Sequence, residues 1–188
     1  MSYLINDILE FSQITGKKAL EKKDLNFNDV LKKVKSNLYQ EIHEKRAKIL
    51  PQKLPKYYGN ETEFILLFQN IILSGNNYNT SNLPTIQIWA NYSSTSIFIN
   101  FKDNGIGIEP EYHDKIFQFF KRLHNTEKYQ GTGLGLGLCQ KLIRKYQGTI
   151  SVESKLKEGS TFTIELPIIE DQVETSSKPK KLDLESIS

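Results

Sequence analysis

The stretch that decides how this chain folds is Lys102-Asp103-Asn104-Gly105-Ile106-Gly107-Ile108, read together with Gln130-Gly131-Thr132-Gly133-Leu134-Gly135-Leu136-Gly137. The first follows the apolar run 97–101, which is typical of a strand, and the second leads into residues 138–146, whose apolar spacing is helical. Glycine-rich loops can place backbone N–H groups against phosphate oxygens. Two such loops, one at a strand end and one at a helix start, predict a nucleotide site. The competing interpretation is that they form only caps and turns.

The composition of the 188 residues is that of a globular domain, with 38% hydrophobic and 11% aromatic residues, enough to bury one core. The formal charge of +3 is only mildly basic, which argues against a nucleic-acid partner. The single cysteine, Cys139, cannot form an internal disulfide and suits a reducing compartment. No apolar run is long enough to cross a bilayer, and no signal peptide opens the sequence. We expect a soluble, cytoplasmic polypeptide and leave open whether a longer parent protein is membrane-anchored.

Apolar spacing and turn residues also predict the order of helices and strands. In the first half we expect a helix at 3–14, a helix from an N-cap at Asn28 to about Lys45, a strand at 47–50 ended by Pro51, and a helix from a capping signature at Asn60 to about Tyr78. In the second half we expect a hairpin ending at Asp103, a short helix at 111–119, a mobile loop at 121–130, a helix at 138–146 stopped by Gly148, and a hairpin at 149–153 and 161–166. This order predicts an α+β fold with helices on one face of a mixed sheet.

Three motifs, in this order, resemble the catalytic ATP-binding domain of sensor histidine kinases, within the ATPase superfamily that includes Hsp90, DNA gyrase B and MutL. Residues 103–107 match the first glycine box, residues 116–120 the phenylalanine box, and residues 131–136 the second glycine box. Residues 158–162, leading to Pro167, match the closing hairpin of that family. The resemblance runs from the first residues to about Pro167 and implies a two-layer α/β sandwich of the Bergerat type.

The resemblance also implies ATP and Mg²⁺ as cofactors. Asp103 would accept a hydrogen bond from the adenine amino group, which an ionised carboxylate is suited to do. Gly105 and Gly107 would let the loop pass close to the base. Residues 121–130 would form a lid over the phosphates, in which Arg122 offers them a guanidinium.

The second glycine stretch would bring backbone donors and a helix start toward the phosphates. The residues that the resemblance assigns to nucleotide binding here and elsewhere are Asn70, Tyr78, Ile108, Tyr129, Gly131, Thr132, Gly133, Leu134, Gly135 and Leu136.

The sequence departs from the family in the asparagine box. Asn70 matches its first asparagine, but Ser74 stands where a second asparagine holds Mg²⁺, and Asn77 stands where the family has a lysine. Residues 70, 74 and 77 share one helix face, whereas Asn76 points away. We assign Asn70, Ser74 and Asn77 as the catalytic and Mg²⁺-binding residues, and we hypothesise that nucleotide binding is retained while phosphoryl transfer is weakened or lost.

The remaining parts of the chain follow from the same resemblance. Residues 1–16 are similar to the end of the second dimerisation helix, 17–24 to the linker, and 25–167 to the ATP-binding domain, while 168–188 is predicted to be a disordered tail. We expect the acceptor histidine upstream of Met1, and we expect no autophosphorylation of this chain alone. The expected partners are the dimerisation domain of the same protein, a second copy in a homodimer of the full-length protein, and a response regulator.

Two other functions remain open at this stage. A nucleotide-binding pseudokinase or signalling module would use the same fold with weak or no transfer. An ATPase of the Hsp90 or MutL kind would hydrolyse ATP without an acceptor, although the dimerisation helix and the phenylalanine box argue against it.

Overall fold

A five-stranded sheet, a two-stranded sheet and four helices form the described part of the chain. The computed structural model describes residues 21–118 and 133–168. The helices are α1 (Phe27–Asn37), α2 (Tyr39–Glu44), α3 (Glu61–Asn77) and α4 (Gly135–Lys145). The strands are β1 (Lys23–Asn26), β2 (Lys48–Pro51), β3 (Lys56–Gly59), β4 (Thr85–Tyr92), β5 (Ser96–Asp103), β6 (Thr149–Lys155) and β7 (Gly159–Pro167). The predicted helix at 3–14, the lid at 121–130 and the tail from residue 169 lie outside the described residues.

The larger sheet is mixed, as predicted, with the strand order β2-β4-β5-β7-β6. Strand β2 runs parallel to β4, and all other neighbours are antiparallel. The two predicted hairpins are confirmed. In the first, Ile86 of β4 lies opposite Asp103, and in the second Lys155 lies opposite Gly159. This pairing places the end of β5 beside the turn between β6 and β7.

Alternation along the strands gives the sheet one apolar and one polar face. Ile88 and Phe101 are buried on the apolar face, where the Phe101 ring lies 5.1 Å from that of Phe68 in α3. On the other face the Asn100 side chain accepts a hydrogen bond from the Thr163 hydroxyl. The helices pack on the apolar face, so the predicted α+β arrangement of two layers is confirmed.

The first helix differs from its prediction at both ends. Its N-cap is Asn26, whose extended backbone lets Oδ1 accept a hydrogen bond from the N–H of Asn28, so the assignment of the cap to Asn28 was wrong. The backbone leaves helical geometry at the buried Leu38, where ψ is 19°, and the predicted single helix is therefore α1 followed by α2. Strand β1 begins at Lys23 and pairs with β3, a strand that the sequence pattern did not reveal.

Helix α3 follows its prediction closely. The Asn60 side chain caps it by accepting a hydrogen bond from the N–H of Glu63. Seventeen residues then continue to Asn77, and much of the helix is buried. Because both its ends are fixed by neighbouring segments, α3 is the element along which the candidate site is arranged.

The segment after β5 is tighter than the predicted short helix. Two 3₁₀ turns, Pro110–Tyr112 and Lys115–Phe117, replace it, and their N–H groups bond to carbonyls three residues back, as from His113 to Pro110. Ile116 and Phe117 are buried in the core. Phe119 and Phe120 of the predicted phenylalanine box lie outside the described residues.

Helix α4 ends in two hydrogen bonds that reverse the chain. The N–H of Gly148 donates to the carbonyl of Ile143, and that of Gln147 donates to Arg144. The residue with positive φ is Gln147, at 58°, and not the predicted stop residue, Gly148. No helix within residues 21–118 and 133–168 is long and apolar enough to cross a bilayer.

Candidate functional site

Asp103 is the buried carboxylate at the end of β5, with 6% of its surface exposed. Its Oδ1 accepts hydrogen bonds from the backbone N–H of Gly105 at 2.8 Å and of Ser160 at 3.3 Å. Its Oδ2 faces Gly75 of α3. A Cβ atom added to that glycine would lie 3.4 Å from this oxygen. Burial raises the pKa of Asp103 to about 6, although the two backbone donors oppose that shift. One carboxylate oxygen is thus fixed by the fold, and the other is turned toward the helix.

The loop after Asp103 is held between α3 and the β6–β7 turn. On one side the N–H of Ile106 donates to the Tyr78 carbonyl at 3.0 Å, and a Cβ at Gly105 would stand 2.6 Å from that carbonyl oxygen. On the other side the N–H of Lys157 donates to the Ile106 carbonyl at 2.7 Å. Gly107 has a φ of 72°, and a Cβ there would overlap the carbonyl of Lys155. Both glycines are therefore required by close backbone contacts.

Two serines support this loop, although neither was among the predicted site residues. The hydroxyl of Ser154 accepts a hydrogen bond from the N–H of Ile108 at 2.8 Å, and the backbone N–H of Ser160 reaches Asp103. The only signal in the sequence was the predicted closing hairpin around them. Its register, and not its composition, brings them to the loop.

The Asn104 side chain forms hydrogen bonds on the other side of the loop. Its Oδ1 accepts hydrogen bonds from Asn79 Nδ2 and from the N–H of Thr85, both at 2.8 Å. Its Nδ2 donates to the hydroxyl of Ser81 and to the carbonyl of Leu83. Asn104 therefore fastens residues 79–85 to the end of β5.

Helix α3 and the start of α4 bring together the other predicted residues. Asn70 Nδ2 donates to the Leu66 carbonyl at 3.0 Å, and Asn70 Oδ1 faces Gly135, where an added Cβ would overlap it. Ser74 lies half-buried one turn further along α3, and the N–H of Tyr78 donates to its carbonyl. The asparagine side chain therefore faces the first turn of α4.

The described part of the second glycine stretch begins at Gly133, which has a φ of 76°. Leu134 is the N-cap residue of α4 without a side-chain cap, and Leu136 packs against the core. The first turn of a helix offers backbone N–H groups and the positive end of its dipole. Arg122, Tyr129, Gly131 and Thr132 lie outside the described residues.

A lysine that the sequence did not single out lies at the end of α3. Lys45 Nζ, which follows α2, donates to the Asn76 carbonyl at 2.8 Å and to Asn77 Oδ1 at 3.4 Å. Burial lowers the pKa of Lys45. Asn76 itself is buried on the side of α2, where its Nδ2 donates to the Glu41 carbonyl. A cation thus reaches the carboxamide of Asn77 from another helix.

The side-chain oxygens near the proposed site can be tested for whether they suit the implied Mg²⁺. Among residues 21–118 and 133–168, no three His, Cys, Asp or Glu side chains cluster as a metal site. Mg²⁺ requires oxygen ligands, which amides, hydroxyls and phosphates can supply. Asn70 Oδ1 and the hydroxyl of Ser74 fit that requirement chemically. Asn77 fits poorly, because its oxygen already faces the Lys45 ammonium and a second cation there would be repelled.

Comparisons with known proteins agree with this fold. The sequence model described as histidine kinase-, DNA gyrase B-, and HSP90-like ATPase matches residues 59–170. The chain is 37% identical over 171 residues to the phytochrome-like protein Cph1 of Synechocystis sp., a match that covers 89% of this chain and 22% of that protein. It is 32% identical to the adaptive-response sensory kinase SasA of Gloeothece citriformis, over 89% of this chain and 44% of that protein. The chain thus spans less than half the length of either relative.

Two solved structures share the architecture. Full-length ShkA in complex with AMPPNP superposes with a TM-score of 0.72 at 22% identity, covering 87% of this chain and 35% of that one. Histidine kinase ThkA in complex with the response regulator protein TrrA gives a TM-score of 0.69 at 18% identity, covering 91% and 49%. The matched family model covers more than half of the sequence, and the described fold agrees with it. The chain belongs to the histidine kinase-, DNA gyrase B- and HSP90-like ATPase family.

Proposed function

We propose that this chain is the ATP-binding catalytic region of a two-component sensor histidine kinase. The observation that carries the proposal is the buried Asp103 carboxylate, with Oδ1 held by two backbone donors and Oδ2 left for a ligand. An acceptor fixed in this way suits the adenine amino group, which donates two hydrogen bonds. The sensory kinases among the relatives support the phosphotransfer chemistry.

In the proposed reaction the γ-phosphoryl group of ATP passes to a histidine on the dimerisation helices. The bond from the γ-phosphorus to the bridging oxygen breaks, a bond to an imidazole nitrogen forms, and ADP leaves with the electron pair of the broken bond. The chain itself contributes position and electrostatics, which dominate phosphoryl transfer. Asp103 and the loop at 105–107 orient the base, while the first turn of α4 offers backbone donors to the phosphates.

The other residues that the resemblance assigns to nucleotide binding also belong to the proposal. Arg122, Tyr129, Gly131 and Thr132 would bind the phosphates from the lid and the glycine stretch. Tyr78, Ile108, Leu134 and Leu136 would line the nucleotide.

Mg²⁺ forms the second part of the proposal. When bound, it neutralises phosphate charge. Asn70 and Ser74 would hold it together with phosphate oxygens and water, and Asn77 would orient its Nδ2 toward the nucleotide while Lys45 holds its oxygen. Ser74 reaches less far than an asparagine, so we expect weaker Mg²⁺ binding and slower transfer than a complete asparagine box gives.

Calorimetric titration of the 188-residue chain with ATP, with and without Mg²⁺, tests the binding step. We expect saturable binding in both cases and a modest gain with Mg²⁺. Adding a separate polypeptide with the dimerisation helices and their histidine should then give an acid-labile phosphohistidine on that polypeptide and none on the chain alone. Absence of ATP binding would refute the proposal.

The non-catalytic alternative rests on Ser74 and Asn77. It predicts nucleotide binding without any phosphohistidine on the supplied acceptor. Steady ATP hydrolysis without an acceptor would instead indicate the Hsp90 or MutL kind of ATPase. The same three measurements therefore separate the three functions.

The proposal also covers the segments on either side of the domain and the full-length protein. Residues 1–16 would be the end of a dimerisation helix, 17–24 a linker and 168–188 a tail. The last two linker residues, Lys23 and Asp24, already belong to β1, and the first tail residue, Ile168, still bonds to Thr95. The full-length protein would act as a homodimer in the cytoplasm and phosphorylate a response regulator, the class of partner bound to ThkA.

A further inference from the structure

Outside the nucleotide site, a buried carboxylate joins the other ends of α3 and α4. The Glu63 side chain is 1% exposed. Its Oε1 accepts a hydrogen bond from Lys145 Nζ at 2.5 Å, and its Oε2 accepts one from the Tyr146 hydroxyl at 2.5 Å. The same hydroxyl accepts a hydrogen bond from the N–H of Asn60 at 2.9 Å. We name Asn60, Glu63, Lys145 and Tyr146 the Glu63 cluster.

A buried charge is costly unless it is paired and hydrogen-bonded. Glu63 meets that requirement through Lys145 and Tyr146, so the loss of either contact would leave a buried carboxylate oxygen without a partner. Asn60 and Glu63 belong to the first turn of α3, and Lys145 and Tyr146 to the last turn of α4. The cluster therefore fixes how the two helices approach each other.

The chain that enters the domain contacts this cluster directly. The Lys22 ammonium lies 4.9 Å from the centre of the Tyr146 ring, and the Glu21 carbonyl accepts a hydrogen bond from Asn60 Nδ2 at 2.8 Å. The next residue, Lys23, pairs with Gly59 at the start of β1. Three consecutive residues thus rest on the end of the α3–α4 pair.

The opposite end of that helix pair carries the nucleotide site. Asn70 of α3 faces Gly135 at the start of α4. An eleven-residue helix is about 16 Å long, so α4 spans the distance between the Glu63 cluster and the proposed phosphate end as one rigid element.

We propose that the Glu63 cluster couples the position of the entering segment, residues 21–23, to the alignment of α3 and α4 and thereby to nucleotide affinity. The residues act as positioning residues, because none of them lies at the nucleotide site. The proposal rests on the proposed function only for the nature of the ligand. Linkage requires the effect to be reciprocal: if the seated segment tightens nucleotide binding, the nucleotide must tighten the segment by the same factor.

Hydrogen–deuterium exchange of the whole chain, with ADP as the probe, tests this coupling. Tyr146→Phe keeps the ring and removes the hydroxyl that joins Glu63 to Asn60, and Lys22→Met removes the cation over the ring. Tyr92→Phe and Lys53→Met are matched controls, because both residues are exposed and neither belongs to the cluster or to residues 21–26. ADP should slow exchange at residues 21–26 of the wild type about fivefold, the weak end of known couplings.

In Tyr146→Phe that ADP-dependent protection should disappear, and ADP affinity should fall by the same factor of about five. Lys22→Met should show a smaller loss of both, and the two controls neither. An effect on folding alone would not remove protection that depends on ADP. Exchange at residues 21–26 that does not respond to ADP in a wild type that binds it overturns the coupling.

Failure of the proposed function gives a different pattern. A wild type that binds no ADP refutes the nucleotide site, and the ligand-free comparison then decides the coupling. Tyr146→Phe should still exchange faster than Tyr92→Phe both at residues 21–26 and at residues 133–140. A change confined to residues 21–26 overturns the transmission through α4.

Discussion

The two ends of the candidate nucleotide site are built in different ways. At the base end, the loop after Asp103 is held by backbone hydrogen bonds, one donated to the Tyr78 carbonyl on one side and one accepted from the Lys157 N–H on the other. At the proposed metal end, Asn70 and Ser74 offer oxygens through their own side chains, and the Asn70 carboxamide is oriented within its own helix by the hydrogen bond from Nδ2 to the Leu66 carbonyl. By the sequence resemblance, residues 103–107 at the base end keep the first glycine box, whereas Ser74 and Asn77 at the metal end depart from the asparagine box.

The two ends of the site should tolerate substitutions differently. Backbone hydrogen bonds depend on register, so a single substitution outside Gly105 and Gly107 seldom removes them, and the base end persists with the fold. A metal site made from side chains depends on the length of each one, so one substitution alters it and leaves the helix intact. Substitutions should therefore be able to break the base end and to repair the metal end.

The largest effect should come from Asp103→Asn. The two backbone donors keep the amide oxygen in place of Oδ1, so Nδ2 must replace the free oxygen and face the adenine amino group with a donor. ATP affinity should fall about 100-fold, because the new Nδ2 group and the adenine amino group are both donors and neither then has an acceptor. Calorimetry measures the loss.

The same variant should fold normally. Burial already disfavours the charged form of Asp103, as its raised pKa shows, so a neutral amide should leave the free energy of unfolding at pH 7 no lower than in the wild type. Asp114→Asn, on the exposed turn, is the matched control. Thermal melts followed by circular dichroism separate folding from binding, and a variant that keeps wild-type affinity would exclude Asp103 as the base ligand.

The second largest effect should be a dependence on pH with a midpoint near 6. Adenine needs the ionised carboxylate as an acceptor, so affinity should fall about tenfold between pH 7 and pH 5, where Asp103 is protonated. Stability changes in the opposite direction: a folded pKa of about 6 above the ordinary 3.8 means that ionisation costs stability as the pH rises from 3.8 to 6. Titrations from pH 5 to 8 measure the first effect, and Asp103→Asn should abolish the dependence.

Part of this site could be predicted from the sequence because its signals are local. Asp103 and the glycines adjoin a strand with clear alternation, and Asn60 caps α3 within three residues of its partner. The Ser160 N–H that holds Asp103 is 57 residues away in the chain, and the Lys45 ammonium is 32 residues from Asn77. Such contacts follow from strand register and helix packing, and no short window of sequence contains them.

The same distinction between local signals and long-range contacts applies to the fold. The two hairpins were predicted because period-two alternation persists along their strands. Strand β3 was missed because its sequence, Lys56-Tyr57-Tyr58-Gly59, shows no alternation of apolar and polar residues, and because its pairing partner, β1, lies about 30 positions earlier in the chain. The cap at Asn26 was missed because Asn26 and Asn28 are both good capping residues, and only pairing with β3 decides which of them is extended.

A repair of the metal end should have an intermediate effect. Ser74→Asn together with Asn77→Lys restores the family pattern, and we expect phosphoryl transfer to a supplied acceptor to rise about tenfold, with a stronger dependence on Mg²⁺. Phosphohistidine formation over time measures the gain. ATP affinity without Mg²⁺ should change little, because the base end is untouched.

The control for this repair makes the same substitutions elsewhere. Ser94→Asn with Asn82→Lys changes two exposed residues and adds the same charge. A rise in transfer with both double variants would assign the gain to net charge. No rise with either would show that the native metal end is already competent.

The smallest effect should come from Asn104→Ala, which tests whether the base end depends on support from its outer side. The Asn104 side chain makes four hydrogen bonds to residues 79–85. Because Asn104 is exposed, water can replace part of them, and we expect a loss of about 1–2 kcal/mol in unfolding free energy and a two- to threefold loss of ATP affinity. Asn82→Ala, in the same loop, is the control. If affinity falls as far as in Asp103→Asn, the loop is held from its outer side and the contacts at Tyr78 and Lys157 are secondary; if only stability falls, those two backbone contacts suffice to shape the base end.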